Sequence, residues 1–144
     1  MKVAEVLASK GRDVVVALPD TSVPRLAERM RSAGVGAIVV TNDGRRVEGL
    51  VSERDVVHAI ARHGADALSM RASDVMQRSV RTCAPSDRVR DVMVAMTAER
   101  ARHVPVVENG TLRGIVSVGD LAKRVVDDAD LEVLVLRDAY LGHR

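Results

Sequence analysis

Aromatic residues are almost absent from this 144-residue chain, which has no Phe, no Trp and a single Tyr, Tyr140. A nucleic-acid surface that stacks bases on aromatic rings is therefore excluded. The chain also lacks an apolar run near the roughly 20 residues that cross a bilayer, and its first residues show no secretory signal. The single cysteine, Cys83, cannot form an internal disulfide, which is typical of a reducing compartment. We expect a cytoplasmic protein with no membrane partner.

Valine and arginine are the residues in excess. The chain has 27 Val within a hydrophobic share of 47%, which is enough for a core and favours buried strands. Of its 22 basic residues 19 are Arg, although the net charge is only +2. Guanidinium groups suit phosphate ligands, but an Arg-rich composition is also typical of GC-rich genomes. A nucleic-acid-binding protein is a weaker alternative, because no Lys/Arg cluster accompanies the arginines.

The two halves of the chain repeat one another. The matched positions are Pro19 with Pro85, Met30 with Met96, Val39-Val40 with Val106-Val107, and Gly49 to Asp55 with Gly114 to Asp120. Each half predicts a short first helix followed by a β-α-β-β-α order. The predicted segments are strands at 14–17 and 80–83, hairpin strands at 36–41 with 47–51 and at 104–107 with 112–116, and closing helices at 53–63 and 118–127.

Local signals mark the ends of these elements. Ser22 or Thr21, followed by Pro24, is a predicted helix N-cap, and Ser86 or Asp87 is its counterpart in the second half. Asn109-Gly110 predicts a two-residue hairpin turn because it supplies two positive φ values.

Each half has about 60 residues, which is too few to bury its apolar surface alone. We therefore predict an α/β (α+β) fold in which the two halves pack sheet against sheet. The predicted units are residues 1–66, residues 67–127 and a C-terminal amphipathic helix within residues 128–144. The sequence does not indicate whether that helix caps the second repeat or pairs with a second chain.

A Ser followed three residues later by Asp ends the third strand of each half, as Ser52 with Asp55 and Ser117 with Asp120. One interpretation is a capping box at a helix start. The other is a ligand site, because free helix N-terminal amides bind anions and a nearby carboxylate can accept ribose hydroxyls. The occurrence of the pair in both halves favours a nucleotide.

With these motifs, and with Arg102-His103-Val104-Pro105-Val106-Val107 before the second hairpin, the sequence resembles a tandem pair of CBS (cystathionine β-synthase) domains over about residues 3 to 126. The resemblance implies two β-α-β-β-α repeats about a pseudo-two-fold axis, two clefts that bind adenosyl compounds, and a homodimer. It implies that Asp55 and Asp120 hold ribose hydroxyls, with Ser52 and Ser117 beside the ribose or phosphate. The adenine would be framed by Val16, Gly36, Ala37, Thr82, Val104 and Pro105. Arg54 would bind phosphate at the first motif, and His103 beside Arg102 would either bind phosphate in the second cleft or be simply packed or solvated.

The two copies of the site differ. Arg54 in the first motif corresponds to Gly119 in the second, and Ile38 is aligned with Pro105. Unequal affinities are therefore expected. No metal site is predicted, since His58 and His63 lie five residues apart on one helix rather than the four that direct two imidazoles at one ion.

No nucleophile–base pair or carboxylate pair remains outside the repeat, so no enzymatic activity is expected. The sequence favours a regulatory, signal-transduction module that binds AMP, ADP or ATP between the repeats and needs no obligatory cofactor. Binding of NAD(H) or S-adenosylmethionine is the alternative within the same class. The regulated target protein and the direction of the response are not indicated.

Overall fold

The elements follow the predicted order in the first half, and in the second half they do so except for its first strand. The structure is a computed structural model and describes residues 1–11 and 13–141, without the side chain of Leu131; residues 142–144 of the predicted C-terminal helix lie outside this range. The first half contains α1 (Val3–Lys10), β1 (Val16–Ala17), α2 (Val23–Ala33), β2 (Ala37–Val40), β3 (Gly49–Ser52) and α3 (Glu53–His63). A 3-10 segment (Gly64–Ser69) leads to α4 (Ala72–Val75), α5 (Val89–Glu99), β4 (His103–Glu108), β5 (Thr111–Ser117) and α6 (Val118–Leu141).

The sheets of the two halves differ by one strand. In the first half β2 pairs in parallel with β1 and antiparallel with β3. In the second half only β4 and β5 form a ladder, and the strand predicted at 80–83 is reduced to one bridge between Cys83 and Val106. Val39 N–H donates to the Val15 carbonyl in the first sheet, whereas Pro105 opposite the shortened strand has no N–H to donate. The missing ladder bond explains why that strand prediction was wrong.

The structure also corrects the alignment of the repeats by one residue. Val40 pairs with Gly49, and Val106 pairs with Gly114, so Val106 is the counterpart of Val40. Pro105 therefore corresponds to Val39 and not to Ile38. The difference matters because a one-residue slip moves a strand side chain to the opposite face of the sheet.

The second hairpin has the predicted turn, with φ of 52° at Asn109 and 75° at Gly110. The first hairpin has a wider connection, and β3 begins at Gly49 instead of 47. Its loop is organised by the Asp43 carboxylate, which accepts the N–H groups of Arg45 and Arg46.

One of the two predicted helix caps is confirmed. Ser22 accepts the Arg25 N–H at the start of α2, with Pro24 in the first turn. The cap predicted at Ser86 or Asp87 is wrong, because α5 begins after Arg88 without a side-chain cap. Asp87 instead accepts the Ala84 N–H within the preceding turn.

The first helix of each half packs into the core of the other half. Val3, Val6 and Leu7 of α1 are buried in the core formed by α5, β4, β5 and α6. Ala72 of α4 is buried in the core of the first repeat. The Val3 N–H donates to the Asp87 carbonyl, and the Ala72 N–H donates to the Thr21 carbonyl. These bonds hold the two exchanged helices, α1 and α4, against the opposite halves. Neither repeat has a complete core without the other.

The two sheets face one another as predicted. Buried Ala37, Val39 and Leu50 of the first sheet form one apolar cluster with Leu112 and Ile115 of the second. The alternate β2 residues, Ile38 and Val40, point instead into the core of their own repeat. The mixed α/β architecture with two repeats is therefore confirmed.

Helix α6 differs from the expected pair of separate helices, because it continues without a break from Val118 to Leu141. Leu121 in its first turns is fully buried, whereas Val133 and Leu136 are more than 60% exposed. Within residues 1–11 and 13–141, no helix is long and apolar enough to cross a membrane.

Candidate functional site

Both Ser-x-x-Asp motifs start a helix with a capping box. At the start of α3 the Asp55 N–H donates to Ser52 Oγ at 3.2 Å, and the Ser52 N–H donates to Asp55 Oδ2 at 2.8 Å. Ser117 and Asp120 repeat these two bonds at 3.0 and 2.9 Å at the start of α6. The capping interpretation is thus confirmed in both copies, and it fixes the position of each carboxylate at the helix start.

The first motif opens onto a cavity of about 610 Å³ between the repeats. The first repeat contributes Gly36, Leu50, Ser52, Glu53, Arg54, Val57 and His58, and the second half contributes Gln77, Ser79, Val80, Arg81, Glu99, Arg100, Ala101, Arg102 and His103. Five of the predicted site residues are therefore brought together here: Gly36, Ser52, Arg54, Arg102 and His103. His103 and Arg102 were expected in the second cleft, but they line the cavity at the first motif. The volume lies within the range of small-molecule sites.

The lining is rich in guanidinium groups. Arg81 forms an ion pair with Glu99, so these two charges offset each other. Arg54, Arg100 and Arg102 form no ion pair among the described residues, and Glu53 is the remaining acid in the lining. The cavity therefore presents a net positive lining to an anionic ligand.

Arg100 is a lining residue that the sequence interpretation missed. It ends α5 in the left-handed region with φ of 55°, where its counterpart at the end of α2 is Gly34 with φ of 66°. A non-glycine residue in this region costs about 1–2 kcal/mol. The signal was present in the repeat alignment, as an arginine where the other half has glycine.

His103 lies at the junction of the repeats and packs against Gly36. A Cβ atom on Gly36 would lie 3.1 Å from His103 Nε2, which is closer than an ordinary contact and would require the imidazole to shift. Burial lowers the pKa of His103 most, and the charge of Lys10 lowers it further; Glu53 and Asp120 oppose this by smaller amounts, and Arg102 has the smallest effect, which also lowers it. The imidazole is therefore held neutral more firmly than a solvated histidine.

Asp55 lies behind the cavity lining and is hydrogen-bonded to Gln77, which is part of that lining. The Gln77 amide donates to Asp55 Oδ2 at 3.0 Å and to Oδ1 at 3.2 Å. Gln77 itself lines the cavity and follows the exchanged helix α4. The predicted ribose ligand Asp55 thus has a neutral partner that bridges it to the cavity.

The predicted adenine residues are mostly packed. Ala37, Val104 and Pro105 are buried, and Val16 contributes to the cluster between the sheets. Thr82 lines a separate cavity of about 210 Å³ beside Cys83. Burial, with a smaller contribution from Asp87, raises the pKa of Cys83 to about 12, so its thiol remains protonated.

The second motif has a different neighbour. Lys10, the last residue of α1, donates from Nζ to Asp120 Oδ2 at 2.5 Å and to the Ile115 carbonyl at 2.8 Å. Ser117 and Asp120 are both partly buried. In the part of the chain that the structure describes, no three His, Cys, Asp or Glu side chains are grouped to hold a metal ion.

Comparison with known proteins agrees with this architecture. The family model "CBS domain" matches residues 3–62 and 72–127. The chain is 30% identical to "CBS domain-containing protein CBSX3, mitochondrial" of Arabidopsis thaliana, over 96% of this chain and 71% of that protein.

Solved structures show the same fold. A CBS-domain containing protein from Agrobacterium tumefaciens is 41% identical, with a TM-score of 0.83 over 86% of this chain and 98% of that one. The CBS domain pair of protein MJ0100, solved with 5′-methylthioadenosine and S-adenosyl-L-methionine, has a TM-score of 0.79 at 19% identity, over 89% of this chain and 98% of that one. Two family matches in tandem, joined by exchanged helices, show that this chain belongs to the CBS-domain family and is a CBS-domain pair, a regulatory module.

Proposed function

We propose that this protein is a non-enzymatic sensor that binds an adenine nucleotide, AMP, ADP or ATP, in the cavity at Ser52. The observation that carries the proposal is the cavity of about 610 Å³, whose lining includes Arg54, Arg100 and Arg102 beside the start of α3. Guanidinium groups favour phosphate because they bind its oxygens in a bidentate manner. The site needs no obligatory cofactor.

The nucleoside would be held by the apolar and polar parts of the same lining. Leu50, Val57 and Val80 offer aliphatic walls for a base, in a chain without Phe or Trp. Gln77 in the lining offers hydrogen bonds to ribose hydroxyls, and the Asp55 carboxylate lies directly behind it. The adenosyl ligands of the MJ0100 pair support this ligand class, and they make S-adenosylmethionine the principal alternative to a nucleotide.

Isothermal titration calorimetry on nucleotide-stripped protein tests the proposal, with AMP, ATP, NADH and S-adenosylmethionine as separate ligands. We expect AMP or ATP to bind, and Asp55→Asn to weaken binding at least tenfold. Asparagine keeps an oxygen for the Ser52 cap, so this variant removes charge with little loss of fold. Absence of binding by the wild type at millimolar ligand would refute the proposal, and preference for S-adenosylmethionine or NADH would replace the ligand.

The exposed part of α6 suggests how the signal is transmitted. Apolar side chains recur in steps of three and four residues at Val126, Ala129, Val133, Leu136 and Tyr140, and all are exposed. This spacing places the side chains on one face of the helix, as at the a and d positions that form the seam of a coiled coil. In a parallel pair, Glu132 of one chain meets Arg137 of a second copy, which gives charge complementarity. We therefore propose a homodimer joined through α6.

Sedimentation-equilibrium measurements test this dimer. Leu136→Lys lies on the seam and should produce a monomer, whereas Leu134→Lys, equally apolar and exposed, lies off the seam and should remain dimeric. Equal behaviour of the two variants would contradict pairing through this face. A nucleotide regulates such a dimer only if it binds one state more tightly than the other. The free, buried Cys83 fits a reducing compartment such as the cytoplasm.

A further inference from the structure

The two Ser-x-x-Asp motifs are built alike, but their carboxylates meet different partners. Each partner follows or ends an exchanged helix, Gln77 after α4 and Lys10 at the end of α1. Gln77 is a neutral amide and leaves the negative charge of Asp55 uncompensated. Lys10 is a cation, and its ammonium is shared by Asp120 and the carbonyl of Ile115.

The Lys10 ion pair is partly shielded from solvent, with 32% and 27% of the two side chains exposed. Burial alone would raise the pKa of Asp120, yet the hydrogen bond and charge of Lys10, with the Ser117 N–H, lower it overall. The carboxylate is therefore ionised and already matched by a charge-assisted bond, which is about twice as strong as a neutral one. A ribose hydroxyl is a neutral donor and replaces that bond poorly.

We propose that Lys10 blocks the second motif, so that each chain binds one nucleotide, at Ser52, and a second site forms only when Lys10 is released. The proposal rests on the proposed function, because it assumes that the carboxylates receive a nucleoside. It assigns Lys10 as the residue that makes two otherwise similar motifs unequal. The Lys10–Asp120 ion pair joins the two repeats, since α1 belongs to the first half and Asp120 to the second.

Calorimetric stoichiometry with ATP tests this inference. The wild type should bind one ATP per chain, and Lys10→Gln, which imitates the Gln77 arrangement, should bind two. Lys10→Met keeps the aliphatic stem and should give the same result if the glutamine variant folds poorly. Asp120→Asn added to Lys10→Gln should restore a stoichiometry of one. Lys123→Gln removes an equal charge from an exposed position of α6 and should leave it at one.

The reciprocal variant, Gln77→Lys, places an ammonium beside Asp55 and should weaken ATP binding at least tenfold. Two ATP per wild-type chain, or one ATP per chain in both well-folded Lys10 variants, would overturn the inference while the proposed function stands. Unchanged or tighter binding by Gln77→Lys would also overturn it. If the wild type binds no adenosyl ligand, the proposed function and this inference fall together.

Discussion

Replacing Arg100 with glycine should stabilise the fold and weaken nucleotide binding at the same time. Arg100 has φ of 55° at the end of α5, which costs a non-glycine residue about 1–2 kcal/mol. Glycine loses about 0.4–1 kcal/mol through greater freedom of the unfolded chain, so the net gain is about 1 kcal/mol. For a domain of this size that gain raises Tm by about 2–4 °C.

The same change removes one of the three cavity arginines without an ion pair. A charged hydrogen bond is worth about 1.5–3 kcal/mol, and less where the side chain is exposed, as Arg100 is. We therefore expect ATP affinity to fall by about 1–2 kcal/mol, roughly 5- to 30-fold.

Thermal unfolding and calorimetry of Arg100→Gly measure the two effects separately. Arg100→Lys is the matched control, because it keeps both the charge and the strained backbone and should leave Tm unchanged. Gly34→Ala is the mirror variant at the counterpart position, where a Cβ has open space, so any loss of stability there is conformational. A lower Tm for Arg100→Gly, or unchanged ATP affinity, would refute the reasoning.

Three further predictions concern stability and reactivity. Gly114→Ala should destabilise the protein by about 1–3 kcal/mol in urea unfolding, because its Cβ would lie 2.7 Å from Leu7 Cδ2, whereas Gly119→Ala in the same motif meets only ordinary contacts and should not. Because the pKa of His103 is lowered in the fold, the unfolded chain binds this proton more readily than the folded one. The contribution of His103 to the free energy of unfolding should therefore be complete above about pH 6.5 and decline as the pH falls further, and His103→Gln should flatten that decline. Native Cys83 should react with iodoacetamide at pH 8 far more slowly than the unfolded chain, because its pKa is raised to about 12; equal rates would contradict this.

The repeat order and the helix starts could be predicted because they depend on local signals. Ser22, Ser52 and Ser117 cap helices through bonds that span three residues, and Asn109-Gly110 sets its own turn. Residues 80–83 show where such signals fail. Their Val and Thr favour a strand, but Pro105, some 20 residues away, has no N–H to donate the hydrogen bond that would complete the pairing.

The candidate site was predicted in part for the same reason. Gly36, Ser52, Arg54, Arg102 and His103 lie in motifs and line the cavity. Arg81 and Glu99 line it because the segment before α5 meets the end of α5 within the second repeat, and no motif marks them. For Arg100, a glycine-to-arginine difference between the repeats carried the signal.

By itself, the sequence determined the repeated order of elements apart from the first strand of the second half, the facing sheets and the paired Ser-x-x-Asp motifs, since apolar periodicity and caps act over a few residues. Only the tertiary structure decided that α1 and α4 exchange between the halves. That exchange places Gln77 against one carboxylate and Lys10 against the other. Contacts between residues about 20 and 110 positions apart depend on how whole elements pack, so they make the motifs unequal in a way that no local pattern encodes.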